Sequence, residues 1–190
     1  MPAPLILRDV YKQHIQHWGQ DDEGYTYERT EEGAQPLSRL DVFVYRPRGG
    51  REITTFATIG MAAREMPDEG GRAELHLTLR GEPSRELERA IATQLANLAC
   101  FPWQNGGGAL GWGEIVPLPR DFPGFEGCDA VFLAGPFEEG DWDWIETAEG
   151  PVRIINVVPI TGAERQEARR ERPSAFLAAL RARVDVFAPR

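Results

Sequence analysis

The segment from residue 53 to residue 80 constrains the fold of this chain more than any other stretch. Residues 72–80 alternate apolar and polar side chains, a period of two that is typical of a strand with one buried face. Residues 53–62 are rich in threonine and isoleucine, which favour a strand, and residues 66–71 have the proline and glycines of a turn. The sequence therefore predicts a β-hairpin with a long connection. Because two strands alone are marginal in water, the rest of the chain must cover them.

The alternation in the second of these strands also predicts which of its side chains are buried. Leu75, Leu77 and Leu79 fall on one face of the strand. Glu74 and Thr78 fall on the opposite face. We expect the three leucines to lie in the core and the two polar side chains not to be buried.

A first helix is predicted near the start of the chain. Residues 8–18 have a helical spacing that places Tyr11, Ile15 and Trp18 on one stripe. Gly19 follows at the usual position of a glycine that ends a helix.

Other patterns predict further helices and strands along the chain. Strands are predicted around Tyr25 and Tyr27 in the polar residues 20–36, and at residues 40–46, 114–118, 130–133 and 152–160. Further helices are predicted at residues 84–100, from residue 161 onward, and at residues 174–184. Ser84 has the residue type of a helix N-cap, and Thr161 with Glu164 has the pattern of a capping box. We expect a single α+β domain over residues 1–190, with a mixed or mainly antiparallel sheet flanked by helices.

Composition and charge limit the kinds of function. The 190-residue chain has a formal net charge of −9, which disfavours nucleic acid as a partner because phosphate contacts need a basic face. An acidic surface suits a basic protein partner, and it also keeps a protein in solution. The sequence has neither the long apolar run of a membrane-spanning helix nor the pattern of a signal peptide. We therefore expect a cytoplasmic protein with no membrane partner, in which Cys100 and Cys128 are reduced.

No residue pattern predicts a catalytic or metal site. His14 and His17 have helical spacing, but no third or fourth metal ligand lies near them in sequence. Residues 106–111 match the glycine pattern of dinucleotide-binding loops, yet a predicted helix precedes them and a strand follows, which reverses the required order. The serines lack a nucleophile-elbow pattern, and Cys100 ends an apolar helix face. We expect no catalytic residue, no metal and no cofactor.

The most unusual surface candidate is an acidic and tryptophan-rich segment within residues 135–150. Its candidate contact residues are Glu138, Glu139, Asp141, Trp142, Asp143 and Trp144. In a strand the two aspartates would share one face and the two indoles the other. The segment is either a hairpin with its tryptophans in the core or an exposed contact patch. Paired carboxylates also leave hydrolytic chemistry open.

Five segments together carry a resemblance to a known family. They are residues 40–46 (Leu-Asp-Val-Phe-Val-Tyr-Arg), residues 58–62 (Thr-Ile-Gly-Met-Ala), residues 72–75 (Arg-Ala-Glu-Leu), residues 152–164 and residues 185–190. In this order, and over nearly the whole chain, they resemble the Suppressor of fused family in its compact bacterial form. The resemblance implies the α+β fold described above and a non-enzymatic protein-binding module.

The same resemblance implies a role for Glu114. In animal members of the family an acidic residue opens the strand that follows the helix and contacts a short peptide of the Gli transcription factors, bound as an added strand. Gly113, Glu114 and Ile115 occupy this place here, with isoleucine where those members have histidine. Addition of a peptide strand at an exposed sheet edge is a general mode of recognition.

Bacterial members of the family are proposed as immunity proteins that neutralise a cognate toxin, and the resemblance implies this function here. The acidic charge of the chain fits a basic toxin domain such as a nuclease. Two alternatives remain: a small hydrolase that uses Asp141, Asp143 or Glu138 as acid and base, and an intracellular scaffold unrelated to toxins. We expect Glu114 and residues 138–144 to border one groove or sheet edge, where a cationic protein segment docks.

Overall fold

Eight strands form one sheet in the computed structural model, which describes residues 4–28, 37–104 and 106–190. In chain order the strands are β1 (Glu23–Glu28), β2 (Arg39–Tyr45), β3 (Ile53–Ile59), β4 (Arg72–Arg80), β5 (Ile115–Pro117), β6 (Ala130–Ala134), β7 (Trp144–Ile145) and β8 (Val152–Ile160). The helices are α1 (Leu5–Trp18), α2 (Arg85–Cys100), α3 (Gly162–Ala168) and α4 (Pro173–Arg183). The part of the polar segment at residues 29–36 lies outside the described residues.

The sheet is mixed and mainly antiparallel, as predicted. Its strand order is β1-β2-β3-β4-β8-β6-β5, and β7 pairs with β8 beside this path. The pairing of β4 with β8 is parallel, whereas the other strand pairs are antiparallel. β4 and β8 therefore lie in the middle of the sheet. The α+β fold expected from the sequence is confirmed.

The predicted hairpin is present. β3 and β4 pair as antiparallel neighbours. β3 ends at Ile59 and not at residue 62 as predicted, because a short 3-10 helix at Met61–Ala63 begins the connection. Leu75, Leu77 and Leu79 are buried in the cluster that α2 covers, and Thr78 is half-buried. These side chains follow the period-two prediction.

The prediction for Glu74 is wrong, because this side chain is completely buried. Its carboxylate accepts hydrogen bonds from the Thr58 hydroxyl at 2.6 Å and from the backbone N–H groups of Gly60 and Ala62 at 2.9 and 3.0 Å. Burial raises the pKa of Glu74 to about 7, while these donors act in the opposite direction. The face of β4 that carries Glu74 is covered by α1, and a period of two does not distinguish a solvated face from a second covered face.

Helices cover both faces of the sheet. On one face α2 packs through Ile91 and Leu95 in the largest apolar cluster. On the other face Ile6 and Val10 of α1 pack with residues of β3 and β8. Phe176 of α4 packs with residues of β6 and β8 on that same face. Two separate helical contacts thus share one face of the sheet.

The stripe that α1 turns toward the sheet differs from the predicted one. Its buried residues are Ile6, Val10 and His14. The predicted stripe of larger side chains is half-buried at the margin of this contact. The sequence pattern missed the true stripe because the predicted helix began at residue 8 and left out Ile6, and because a histidine counts as polar until a partner for it is known. The helix ends at Gly19, as predicted, with a φ of 85°.

The helix starts predicted from capping residues are confirmed. The Ser84 hydroxyl accepts a hydrogen bond from the Leu87 N–H at the start of α2. Thr161 and Glu164 form a reciprocal capping box at the start of α3. These signals lie within one turn of the chain and therefore need no tertiary information. No helix in the described residues has both the length and the apolar character needed to cross a bilayer.

Candidate partner-binding site

An open cleft lies on the sheet face that α1 and α4 share. Its floor is polar and consists of Thr55 on β3, His76 and Thr78 on β4, and Asn156 on β8. The cavity volume is about 370 Å³, which is enough for a few side chains of a partner.

The cleft opens where the pairing of β4 with β8 ends. The two parallel strands pair as far as His76 and Asn156. Beyond this point the Arg80 N–H donates to the carbonyl of Phe187 at 2.7 Å, so the C-terminal segment takes the place beside β4. The Asn156 side chain donates to the carbonyl of Gly135 at 2.9 Å and anchors the loop that forms one wall.

Aromatic rings surround Trp142 at one side of the cleft. Its ring centroid lies 4.6 Å from that of His17 and 5.0 Å from that of His14. The centroids of Trp18 and His76 lie 5.6 and 5.8 Å away. α1 supplies three of these rings, because His17 and Trp18 follow His14 by three and four residues and so lie near it on the helix surface. Trp142 is therefore half-buried, between the two alternatives left open by the sequence.

His14 and His76 form a buried pair beneath this aromatic cluster. His14 Nδ1 lies 2.7 Å from the Val10 carbonyl oxygen, and His14 Nε2 lies 2.9 Å from His76 Nε2. Because a carbonyl only accepts, Nδ1 carries the proton of neutral His14, whose Nε2 accepts from the His76 Nε2–H. Burial lowers the pKa of His14 to about 4 and that of His76 well below its ordinary value. Both rings are neutral near pH 7.

Acidic side chains lie at the rim of the cleft. The Glu138 carboxylate forms an ion pair at 2.5 Å with Arg181, which also donates to the Phe137 carbonyl. The exposed Asp141 carboxylate accepts the Glu138 backbone N–H at 2.8 Å. Glu139 is exposed in the same turn. The rim thus presents carboxylates to solvent, with one of them held by an arginine.

Trp144 belongs to a second aromatic cluster, apart from Trp142. Its ring centroid lies 5.7 Å from that of Trp112, and the Arg153 guanidinium lies over both rings. Asp143 is half-buried between the two tryptophans, and its carbonyl accepts a backbone hydrogen bond from β8. The alternation expected for this segment fails because regular strand structure begins only at Trp144.

The structure divides the predicted site residues between two places. Glu138, Asp141 and Trp142 line the cleft. Glu114 does not line it but lies immediately before β5, exposed, with its carboxylate accepting the Gly111 N–H at 3.0 Å. It is two residues from Trp112 and so belongs with Trp144 and the second cluster. The sequence predicted that these residues border one groove or sheet edge, whereas the structure places them on two adjacent surfaces.

Sequence reasoning missed several residues of both surfaces. In β4, His76 lies on the face that the alternation assigns to polar side chains, so the pattern gave no sign that it is buried. By contrast, Arg153 and Asn156 interrupt the apolar run of β8. A polar side chain within a central, otherwise apolar strand was the available signal, since burying such a group requires a specific partner or opening.

The structure also locates the residues considered for metal binding and nucleophilic chemistry. Within residues 4–28, 37–104 and 106–190, no group of three His, Cys, Asp or Glu side chains is arranged to hold a metal ion. Cys100 and Cys128 are buried, and burial raises the pKa of the Cys128 thiol to about 11. A thiol of this kind provides little nucleophilic thiolate at neutral pH.

Both sequence and fold have counterparts among known proteins. A family model described as Suppressor of fused protein (SUFU) matches residues 36–190. A comparison with curated proteins finds no significant match.

Solved structures share the fold, among them the following three. A SUFU homologue from Neisseria gonorrhoeae has a TM-score of 0.66 and 17% identity, with 94% of this chain and 91% of that chain covered. The Sufu–Fu complex structure has a TM-score of 0.64 and 18% identity, with 98% and 86% covered. Drosophila Suppressor of Fused has a TM-score of 0.61 and 16% identity, with 96% of this chain but 46% of the Drosophila chain covered. The family model covers most of the sequence and these structures agree with it in fold, so the chain belongs to the Suppressor of fused family.

Proposed function

We propose that this chain is a non-enzymatic module that binds a protein or peptide partner in the cleft beside Trp142. The observation that carries the proposal is the presence of two half-buried indoles with unused donors at one opening. The indole N–H groups of Trp18 and Trp142 donate to no described residue, whereas those of Trp103 and Trp112 donate to backbone carbonyls. Half-buried tryptophans with a free polar tip are the side chains that most often dominate a protein interface.

The relatives support a partner that is itself a protein. One structure of the same fold was solved as the Sufu–Fu complex. In this chain the three-residue β5 ends the sheet, with Glu114 directly before it. An extended peptide can add to such an edge, so we propose Glu114 as an additional partner contact beside the cleft.

The charge of the chain supports a cationic partner. The formal net charge is −9, and Glu138, Glu139 and Asp141 present carboxylates at the cleft rim. Such carboxylates speed the encounter with a basic segment and add little to affinity once salt screens them. We propose a cytoplasmic immunity function, in which the acidic rim and the indoles cover the basic active site of a toxin domain.

The contacts of the rim carboxylates disfavour the alternative of a hydrolase. The Glu138 carboxylate forms an ion pair with Arg181, and the Glu138 side chain is 69% exposed. The Asp141 carboxylate accepts a hydrogen bond from the Glu138 backbone N–H at 2.8 Å. A carboxylate acid–base pair needs two carboxyl groups in different surroundings, one of them apolar, whereas Glu138 and Asp141 are both exposed.

The proposal is tested by binding kinetics with peptides selected from a random library on the immobilised protein. Trp142→Ala is expected to speed dissociation by about tenfold or more, because it removes a central apolar contact. Glu138→Ala and Asp141→Ala are expected to slow association at low salt, with the difference disappearing near 1 M salt, where the Debye length is about 3 Å.

Glu126→Ala is the matched control, since Glu126 is an exposed acid on a loop that does not line the cleft. Its kinetics are expected to equal those of the wild type. If the three cleft variants and Glu114→Ala all bind as the wild type does, the assignment of the partner site to this region is wrong. Sequencing the neighbouring genes, and then measuring whether the wild type but not Trp142→Ala protects cells from a toxin encoded there, tests the immunity function separately.

A further inference from the structure

Arg153 has two aromatic neighbours and no acidic partner among the residues that the structure describes. Its guanidinium carbon lies 5.5 Å from the ring centroid of Trp112 and 5.3 Å from that of Trp144. By contrast, Arg46 and Arg181 each pair with a carboxylate within 3 Å. The chain has 30 acidic and 21 basic residues, so carboxylates are abundant. An arginine that packs against aromatic rings and has no carboxylate partner needs a physical explanation.

The nitrogen atoms of Arg153 have unused hydrogen-bonding capacity. Nε is buried and has no hydrogen-bond partner. The two terminal nitrogens reach solvent and donate to no described residue. A guanidinium donor removed from water without an acceptor costs free energy. The two terminal nitrogens are the donors that an acceptor from a partner can reach, and no described residue competes for them.

The surroundings hold this guanidinium in a defined place. Trp112 is 38% exposed, yet its indole N–H donates to the Ile154 carbonyl at 2.9 Å. A Cβ atom at Gly135 would lie 3.1 Å from the same ring, so the ring packs directly on the glycine backbone. A fixed ring and a guanidinium stacked on it lose little conformational entropy when a ligand binds.

The space next to Arg153 is kept open on the side of Glu114. The Glu114 carboxylate accepts the Gly111 N–H and forms no ion pair with Arg153. A Cβ atom at Gly111 would lie 3.6 Å from Arg153 Nη1 and 3.9 Å from Glu114 Oε1. Because Gly111 has no side chain, there is room between the Arg153 guanidinium and the Glu114 carboxylate, which do not form an ion pair with each other.

We propose that Arg153 binds a carboxylate of the partner, while Trp112 and Trp144 contact the apolar part of the residue that carries it. A carboxylate fits because its two oxygens match the fork of a guanidinium. A polyanion such as nucleic acid does not fit a chain with a net charge of −9. The inference rests on the proposed protein-binding function and specifies one chemical feature of the partner: an Asp or Glu side chain, or a C-terminal carboxylate.

The test uses one synthetic library of random octapeptides, prepared with either a free C-terminal carboxylate or a C-terminal amide. If the carboxylate comes from a side chain, the wild type is expected to enrich Asp or Glu at one fixed position in both forms of the library. If it comes from the peptide C-terminus, the wild type is expected to enrich peptides of the free-acid form alone. Arg153→Met is expected to lose this preference by about tenfold or more. Arg153→Glu is expected to select Lys or Arg at the same position.

Arg64→Met is the matched control, because Arg64 lies 5.4 Å from the ring centroid of Trp103 elsewhere on the surface. It is expected to select the same peptides as the wild type. Circular dichroism and thermal melting establish that each variant folds. If Arg153→Met does not fold, Arg153→Lys replaces it, since an ammonium keeps the charge but not the paired hydrogen bonds and is expected to weaken the preference.

The outcomes separate this inference from the proposed function. An acid preference as strong as that of the wild type in a folded Arg153→Met or Arg153→Lys variant overturns the inference, as does a wild type that enriches peptides without any acid preference. Both of these results leave the protein-binding function standing. A wild type that enriches no peptide contradicts the inference and the proposed function together.

Discussion

At the scale of single residues, Glu74 and the pair of His14 and His76 are polar groups that the fold removes from water. All three side chains are buried. Glu74 accepts hydrogen bonds from a hydroxyl and from backbone N–H groups, and the histidines bond to each other. Burial is tolerated because each group has partners that replace water. These partners lie 16 or more residues away in the cases of Thr58 and His76, so substitution of each buried group probes a contact that the tertiary structure creates.

Glu74→Gln is expected to lower the free energy of unfolding by about 1–3 kcal/mol. The NH2 group of the glutamine would face the hydroxyl or the backbone N–H groups that now donate to the carboxylate. Urea denaturation at pH 8, above the folded pKa of about 7, measures the loss for the ionised side chain. Glu65→Gln is the control, since the Glu65 side chain is 71% exposed. Equal losses in the two variants would contradict the structural importance assigned to the buried carboxylate.

His14→Met is expected to reduce the sensitivity of the protein to acid. The folded pKa of His14 is lowered to about 4, so between this value and its ordinary value of 6.5 the unfolded chain binds a proton that the folded chain does not. Stability contributed by His14 therefore falls as the pH drops through this window, by at most about 1.4 kcal/mol per pH unit. Free energies of unfolding at pH 6.5 and pH 4.5 are expected to differ less in the variant than in the wild type. Parallel changes would show that His14 is not buried in its neutral form.

At the scale of elements, the turn after β3 organises the contact between the hairpin and α1. Gly60 has a φ of 145°, and a Cβ atom there would lie 2.7 Å from the Arg39 carbonyl oxygen. The 3-10 helix Met61–Ala63 follows directly, held by the Glu74 carboxylate. Both the unusual backbone angle and the close approach of β2 require glycine at this position.

Gly60→Ala is expected to lower the free energy of unfolding by about 3 kcal/mol, since it combines backbone strain with a steric clash. Gly49→Ala provides the comparison, because Gly49 also has a positive φ, of 60°, but has nothing within 4 Å of its Cβ position. Its expected loss is about 1 kcal/mol. Thermal or urea unfolding measures both. A loss in Gly60→Ala no greater than that in Gly49→Ala would mean that β2 does not approach this turn closely.

At the scale of the whole molecule, the strand order places β4 and β8 in the middle of the sheet, with helices on both faces. β1 and β5 are its two edges. We expect backbone amides of β4 and β8 to exchange hydrogen with solvent most slowly and those of β1 and β5 most quickly, because central strands open only when most of the domain unfolds. Hydrogen exchange followed by mass spectrometry measures this order. Faster exchange in β8 than in β1 would contradict the observed topology.

The sequence alone determined the elements whose signals are local. The hairpin strands, β8, the capped starts of α2 and α3 and the glycine end of α1 were all predictable, because alternation and capping depend on residues within a few positions of each other. The acidic and aromatic character of residues 138–144 was visible for the same reason. The candidate site was predictable to this extent, as a set of residue types without a geometry.

Only the tertiary structure decided how these residues are combined. The parallel pairing of β4 with β8 joins segments far apart in sequence, and the end of this pairing opens the cleft. α1 covers the face of β4 that carries Glu74 and His76, which turns an apparently solvated face into a buried one. In the same packing Trp142 contacts His14, and Trp144 lies against Arg153. Burial and pairing of polar groups are set by surfaces from distant segments, and a periodic pattern in one segment does not contain that information.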